Sequence, residues 1–311
     1  MIDYADGISA IDTGFFRPRF DASHLIVENG RAAFVDVGTN HSVPRLLDAL
    51  RQKNLGVDAV DWVILTHVHL DHAGGAGALL RHLPNARAVI HPRGVRHMID
   101  PSQLIAGATA VYGAEELERS YGTLVPIPAE RIDTATDGHV VDLAGRELVC
   151  IDTPGHARHH LSVWDERSRA FFPGDTFGLS YREFDTSKGA FILPTTTPVQ
   201  FEPDALKASI TRMLAHAPQQ MFLTHYSRVE DPERLARDLF EQIDAMVAIA
   251  LAHAADANRH TRTMQALSDL YVSRAQAHGC ALTPARMREL LAMDIELNAQ
   301  GLEVWLDKRK S

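Results

Sequence analysis

The chain has 311 residues, 45% of them hydrophobic and 23% charged, with a formal net charge of −9. That length supports one large domain or two modest ones. The acidic balance argues against nucleic acid, which is bound through clustered Lys and Arg, and against an anionic membrane surface.

No apolar run approaches a membrane span. The opening, MIDYADGISA, lacks a basic segment leading into an apolar one, so no secretory signal is expected. Cys150 and Cys280 stand far apart without metal-motif spacing. A disulfide framework is not expected, and a reducing cytoplasm fits.

In chain order, His24–Gly38 carries two β-rich runs around Asn29-Gly30, a hairpin signal. Val43–Asn54 has helical spacing at Val43, Leu46, Leu47 and Leu50. Asp61–His67 is a continuous apolar run that suits a strand covered on both faces. A short helix over Ala76–His82 and a strand in ARAVIHP follow. Ser102–Gly122 reads as helical. Arg146–Asp152 reads as a strand, and Leu161–Asp175 as a hairpin turning at Asp165–Ser168. A helix over Asp204–Ala215 and a strand over Met221–His225 complete this part.

After about Pro232 only helical patterns remain. Leu235, Leu239, Ile243, Met246 and Val247 mark an amphipathic helix. Two more are expected over Met264–Ala277 and Pro284–Ala299, the last with Thr283 as N-cap, Pro284 in its first turn and Gly301 just past its end. The expected organisation is a catalytic part over 1–230 and a helical extension over 231–311.

Ligand-type side chains gather at four strand ends. THVHLDHAGG holds His67, His69, Asp71 and His72, DTPGH holds His156, FPGDT holds Asp175, and LTHYS holds His225. Groups at strand ends converge on one edge of a sheet, held by rigid elements. His67 and His69 are two apart, so an extended backbone points both to one side. Gly74 and Gly75 let the backbone pass close by. Five imidazoles and two carboxylates suit a pair of divalent cations, since catalytic zinc uses three-histidine sets and a carboxylate can bridge a second ion. The other histidines, His24 and His97 among them, read as surface or packing residues, and His159 as exposed.

The motif order THVHLDH, TPGH, PGDT, LTH, spread over roughly residues 30–226, resembles the metallo-β-lactamase superfamily, particularly its glyoxalase II-like hydrolases. The resemblance implies an α+β fold, a four-layer αββα sandwich, with the C-terminal helices covering the site's mouth. It implies that His67, His69 and His156 hold one metal, that Asp71, His72 and His225 hold a second, and that Asp175 bridges. Asp36 and His160 would support these ligands from behind. The expected metals are two divalent ions, zinc first, with iron or manganese as alternatives. Arg158 and His159 stand where the family has small turn-forming residues, which argues against a glutathione thioester as substrate.

The expected reaction is attack of a metal-bound hydroxide on a thioester, ester or lactone of a small or acyl-chain substrate, with Asp71 or Asp175 handling the proton. Thr176–Pro203, following the bridging aspartate, reads as a lid or binding loop. Tyr181, Phe184, Phe191 and Tyr226 are the candidate substrate-facing side chains. The alternatives are a sulfur dioxygenase-like protein with one mononuclear iron, and a non-catalytic regulatory protein on the same scaffold. A homodimer is left open.

Overall fold

The computed structural model describes residues 1–196 and 200–309, so residues 197–199 of the expected Thr176–Pro203 loop lie outside the described residues. The chain divides into two compact units. The first comprises Met1–Asp152, His159–Gly174 and Thr224–Ser227. The second comprises Thr153–Arg158, Asp175–Leu223 and Arg228–Ser311.

The first unit contains a seven-stranded sheet whose strands lie in sequence order. They are β1 (Ile2–Asp3), β2 (Ile8–Asp12), β3 (Ala22–Glu28), β4 (Arg31–Val35), β5 (Val60–Ile64), β6 (Arg87–Ile90) and β7 (Ile132–Thr134). β1 to β4 pair antiparallel, and β4 to β7 pair parallel. The expected hairpin joins β3 to β4. Asn29 and Gly30 both have positive φ, 46° and 77°, and such a turn twists in the same sense as its strands.

Parallel neighbours need crossovers, and helices supply them. α1 (Val43–Gln52) links β4 to β5, and α2 (Leu70–Ala73) and α3 (Ala76–Leu80) link β5 to β6. α4 (Pro92–Ile99), α5 (Ser102–Tyr112) and α6 (Ala114–Tyr121) link β6 to β7. Val43, Leu46 and Leu50 of α1 pack with Phe34, Val63, Leu65 and Leu79 in one buried cluster. A side chain at Gly75 would come within 2.5 Å of the Thr39 carbonyl, so the approach expected of this glycine is to a neighbouring turn. β5 stops at Ile64, not at His67 as its apolar run predicts; beyond it the backbone amide of Thr66 turns to a side-chain acceptor.

The second sheet of this unit is an antiparallel meander of β8 (His139–Leu143), β9 (Arg146–Asp152), β10 (Leu161–Asp165) and β11 (Ala170–Phe172). Arg146 and Asp165 form a buried ion pair on it. His24 of β3 is buried with its ring 5.4 Å from that of Phe172 on β11, a packing histidine as expected.

The second unit holds α7 (Pro203–Leu214), β12 (Gln220–Leu223), α8 (Pro232–Ala252), α9 (Arg259–His278), α10 (Pro284–Leu290) and α11 (Ala292–Lys308). β13 (Ser227–Glu230) follows the Thr224–Tyr226 turn. Leu235, Leu239, Ile243 and Met246 of α8 are buried, as their spacing predicts. Thr283 caps α10 by accepting from the Arg286 amide at 3.3 Å. The last helical stretch departs from expectation. It breaks at Leu291, and α11 runs straight through Gly301. Gly301 is not a stop signal. A Cβ there would lie 2.4 Å from Thr196 Oγ1, so the glycine permits close packing of the helix on the loop.

Burial pushes the His24 imidazole down to about 4 from its ordinary 6.5, against the opposing pull of the Asp36 carboxylate. The unfolded chain therefore takes up this proton first as pH falls, and stability present above pH 6.5 is lost on the way to about 4. The loss is on the order of 3 kcal/mol. In urea melts between those limits, His24→Leu should lose this component of the pH dependence; an unchanged slope would contradict the assignment.

Candidate metal centre

The site in the first unit is organised around Asp36. This residue follows β4 with φ of 51°, and its amide donates to the Ile64 carbonyl at 2.9 Å, which ties the ends of β4 and β5 together. Its buried carboxylate accepts four hydrogen bonds. The Thr66 amide donates to Oδ1 at 2.8 Å, and the Thr66 hydroxyl reaches Oδ2 at 2.8 Å. The Thr224 hydroxyl donates to Oδ2 at 2.9 Å, and His72 Nδ1 approaches Oδ2 at 2.7 Å. The Thr66 hydroxyl has one proton, which goes to the carboxylate, so it accepts from His67 Nδ1 at 3.1 Å.

These bonds set the imidazole tautomers. With its Nδ1 proton directed at Asp36, His72 presents the lone pair of Nε2, 3.9 Å from Asp71 Oδ2. His225 Nδ1 donates to the Phe20 carbonyl at 2.9 Å, so its Nε2 also presents a lone pair, 3.5 Å from the same Asp71 oxygen. The three ligand atoms of Asp71, His72 and His225 lie within 4.8 Å of one another. His67 Nε2 lies 2.7 Å from His69 Nδ1. The Nε2 lone pairs of His72 and His225 and the Asp71 carboxylate repel one another, and a cation among them reverses the sign. The residues thus fit a divalent ion, and the imidazole–carboxylate donor set suits zinc, iron or manganese.

Sequence reading missed several participants. Thr66 and Thr224 precede His67 and His225 in two copies of Leu-Thr-His, and that repeat was the available signal. Asp21 is fully buried, and burial raises its carboxyl to about 7 while the imidazoles of His225 and His72 oppose the rise. The Thr13 hydroxyl donates to it at 2.8 Å. His159 is buried, contrary to expectation. Its ring lies parallel to that of His67 at 6.3 Å and edge-on to that of His69 at 5.6 Å. The cause is a strand contact, since the Leu161 amide donates to the Thr66 carbonyl at 2.7 Å and draws the residues before β10 against His67. His160 stacks on His67 at 4.9 Å.

In the second unit, His156 Nε2 lies 3.4 Å from Asp175 Oδ2, both side chains buried. His156 Nδ1 faces the Thr195 carbonyl at 3.3 Å, so here too a lone pair meets a carboxylate. Gly155 sets this loop on α7. Its φ is 133°, and a Cβ would lie 2.3 Å from the Leu206 backbone. Thr176 Oγ1 donates to the Thr153 carbonyl at 2.9 Å, joining the segment after Asp175 to the one before His156. Arg158 pairs with Glu202. Of the candidate substrate-facing residues, Tyr181, Phe184, Phe191 and Tyr226 are all buried. The Tyr181 hydroxyl donates to Asp294 at 3.0 Å, and Phe184 stacks on Phe191 at 5.7 Å.

This donor set, on strands flanked by helices, defines a class that comparison with known proteins identifies. A sequence model of the metallo-beta-lactamase superfamily matches residues 17–253, and the chain belongs to that family. Its fold is accordingly α+β, two sheets flanked by helices, with further helices at the C-terminus.

The protein ST1585 of Sulfurisphaera tokodaii, described as metallo-beta-lactamase fold-containing, is 29% identical over 46% of this chain and 52% of its own. A hydroxyacylglutathione hydrolase of Aeromonas hydrophila is 30% identical over 51% of this chain and 48% of its own. The chain thus spans about half the length of these two relatives. A hydroxyacylglutathione hydrolase of Acidiphilium cryptum is 26% identical over 90% of this chain and 86% of its own. The crystal structure of ST1585 superposes with a TM-score of 0.68 at 22% identity, over 99% of this chain and 100% of that one. No helix among the described residues is long and apolar enough to cross a membrane.

Asp36→Asn keeps the shape of the hub but turns one acceptor into a donor facing N–H or O–H groups. Loss of such support weakens metal affinity by roughly 10- to 100-fold. Competition with a chromophoric chelator should show that drop for zinc, and an unchanged affinity would remove Asp36 from its orienting role.

Proposed function

We propose that the protein is a metal-dependent hydrolase cleaving a thioester, ester or lactone in a small or acyl-chain substrate. The observation that carries this reading is the convergence of Asp71 with the Nε2 atoms of His72 and His225, each imidazole tied by its other nitrogen. In this reading His67, His69 and His156 hold one ion, Asp71, His72 and His225 hold the second, and Asp175 bridges. Two divalent ions, zinc first with iron or manganese as alternatives, would supply Lewis acidity and a water acidified to near neutral pH.

The remaining chemistry belongs to the side chains. Asp71, the more open of the two carboxylates, orients the attacking water and takes its proton. Asp36 holds the Nδ1 proton of His72 and so aims its Nε2 inward. The proton that Asp71 takes passes to the leaving thiolate or alkoxide, and since water and not a Ser or Cys is the nucleophile, no acyl-enzyme forms. Relatives named as hydroxyacylglutathione hydrolases, and an Aspergillus fumigatus protein named as an acyl-carrier-protein thioesterase at 29% identity over 38% of this chain, support an acyl substrate.

A sulfur dioxygenase-like reading needs one mononuclear iron, and the complete Asp71–His72–His225 set favours a second ion. The experiment is a panel of thioesters, lactones and phosphodiesters against metal-reconstituted protein, with oxygen uptake on a persulfide in parallel. One acyl class should be hydrolysed, and His67→Ala should slow it by at least about a hundredfold. A His67→Ala variant as fast as wild type would sink the mechanism, and oxygen uptake would shift it to the dioxygenase reading. For a non-catalytic regulator, His69→Ala would leave biological activity unchanged.

A further inference from the structure

In the second unit, His156 takes its orientation from a loop that the C-terminal helices hold. Its Nδ1 donates to the Thr195 carbonyl at 3.3 Å, which leaves the Nε2 lone pair facing Asp175. Thr195 lies in no helix or strand, so the direction of its carbonyl is set by what its neighbours bond to. Before it, Leu193 and Leu179 exchange amide and carbonyl at 2.9 Å in both directions. After it, Thr196 is bonded twice to Asn298 of α11. The Thr196 amide donates to Asn298 Oδ1 at 2.6 Å, and the Thr196 hydroxyl to the Asn298 carbonyl at 3.0 Å. The Thr195 carbonyl and the Thr196 amide are two ends of one planar peptide group. Fixing the N–H therefore fixes the C=O that receives the His156 proton. Donation by that N–H also polarises the peptide and makes its oxygen a better acceptor.

Asn298 is itself buried and held. Its Nδ2 donates to the Tyr271 hydroxyl of α9 at 2.8 Å and to the Pro194 carbonyl at 3.3 Å. Tyr271 gives its own proton to Met246 Sδ of α8 at 3.4 Å. A flipped amide would set N–H against the Thr196 N–H and oxygen against the Pro194 carbonyl, so the orientation is fixed. Asp294, Asn298 and Gly301 are spaced by four and three residues, which places them on one face of α11. The Tyr181 hydroxyl donates to Asp294 at 3.0 Å, and a Cβ at Gly301 would lie 2.4 Å from Thr196 Oγ1. One helix face thus grips the loop at three points, and the middle one leads to His156.

We infer that Asn298 is a positioning residue for His156. Through the Thr195–Thr196 peptide it fixes the acceptor of the Nδ1 proton, and so keeps the Nε2 lone pair free for an ion. Without that acceptor the proton distributes over both ring nitrogens, and part of the population loses its ligand atom. The inference rests on His156 as a metal ligand and is independent of which substrate is cleaved. An Asn298 that only anchored the loop would contribute stability and leave the imidazole proton where it is.

The test is nitrogen NMR of the metal-free full chain with isotopically labelled histidine, at a pH where the imidazoles are neutral. Wild-type His156 should be a single tautomer with its proton on Nδ1. Asn298→Leu should spread that proton over both nitrogens and leave His225, whose proton goes to Phe20, as it was. In chelator competition the same variant should bind zinc about tenfold more weakly. If Asn298→Leu fails to fold, Thr196→Val decides; it removes the hydroxyl bond to Asn298 and should loosen the tautomer, while Thr196→Ser keeps it. A His156 tautomer that persists in the deciding variant overturns the proposal, and so does an equal change at His225, which marks general loosening. Zinc added to the wild type should move the His156 Nε2 signal. A signal that stays in place removes His156 from the metal and overturns the proposal by that separate route.

Discussion

A single buried carboxylate, that of Asp36, organises the site of the first unit. Removing an ionised group from water is costly unless its lone pairs are matched by donors. Here a backbone amide, two threonine hydroxyls and an imidazole N–H provide them. The four donors come from three places in the chain, Thr66, His72 and Thr224. The carboxylate therefore draws together the end of β4, the segment after β5, the first turn of α2 and the turn before β13. Its electrostatic demand and the geometry of the histidines are the same constraint.

Proton placement follows from that constraint. An imidazole has one lone pair when neutral, and the partner of one nitrogen decides where the lone pair points. His72 gives its Nδ1 proton to the Asp36 carboxylate and His225 gives its own to the Phe20 carbonyl, so both Nε2 atoms face Asp71. In the second unit His156 repeats the arrangement with the Thr195 carbonyl and Asp175. The pattern has no stabilising reason of its own, because it sets acceptors against acceptors. It acquires one when a cation is present, which is why the donor chemistry carries the functional reading further than fold likeness does.

The long segment after Asp175 shows how a loop without regular structure can be held. Asn298 of α11 accepts from the Thr196 amide at 2.6 Å and donates to the Tyr271 hydroxyl at 2.8 Å, while the Thr196 hydroxyl donates to the Asn298 carbonyl at 3.0 Å. Gly301, one turn further, lets helix and loop close to contact. Phe177, Leu179, Tyr181 and Phe184 of this segment are buried. Residues that look like an apolar substrate wall in the sequence thus form the loop's own buried core. Alternation and composition cannot separate those two roles, because both place aromatic side chains out of water.

Much of the architecture was legible locally. The Asn29-Gly30 turn, the spacing of Val43, Leu46 and Leu50, and the Thr283–Pro284 helix start depend on backbone preferences and periodicity, which act over a few residues. The clustering of His67, His69, Asp71 and His72 was legible for the same reason. Other features arise from contacts between distant segments: His159 buried against His67, Gly301 inside a helix, and Thr66 and Thr224 meeting on Asp36. By itself the sequence determined which chemistry the chain could attempt, since imidazoles and carboxylates at strand ends admit few uses. Only the tertiary structure decided which nitrogen carries each proton, because that depends on what distant parts of the chain bring within hydrogen-bond reach.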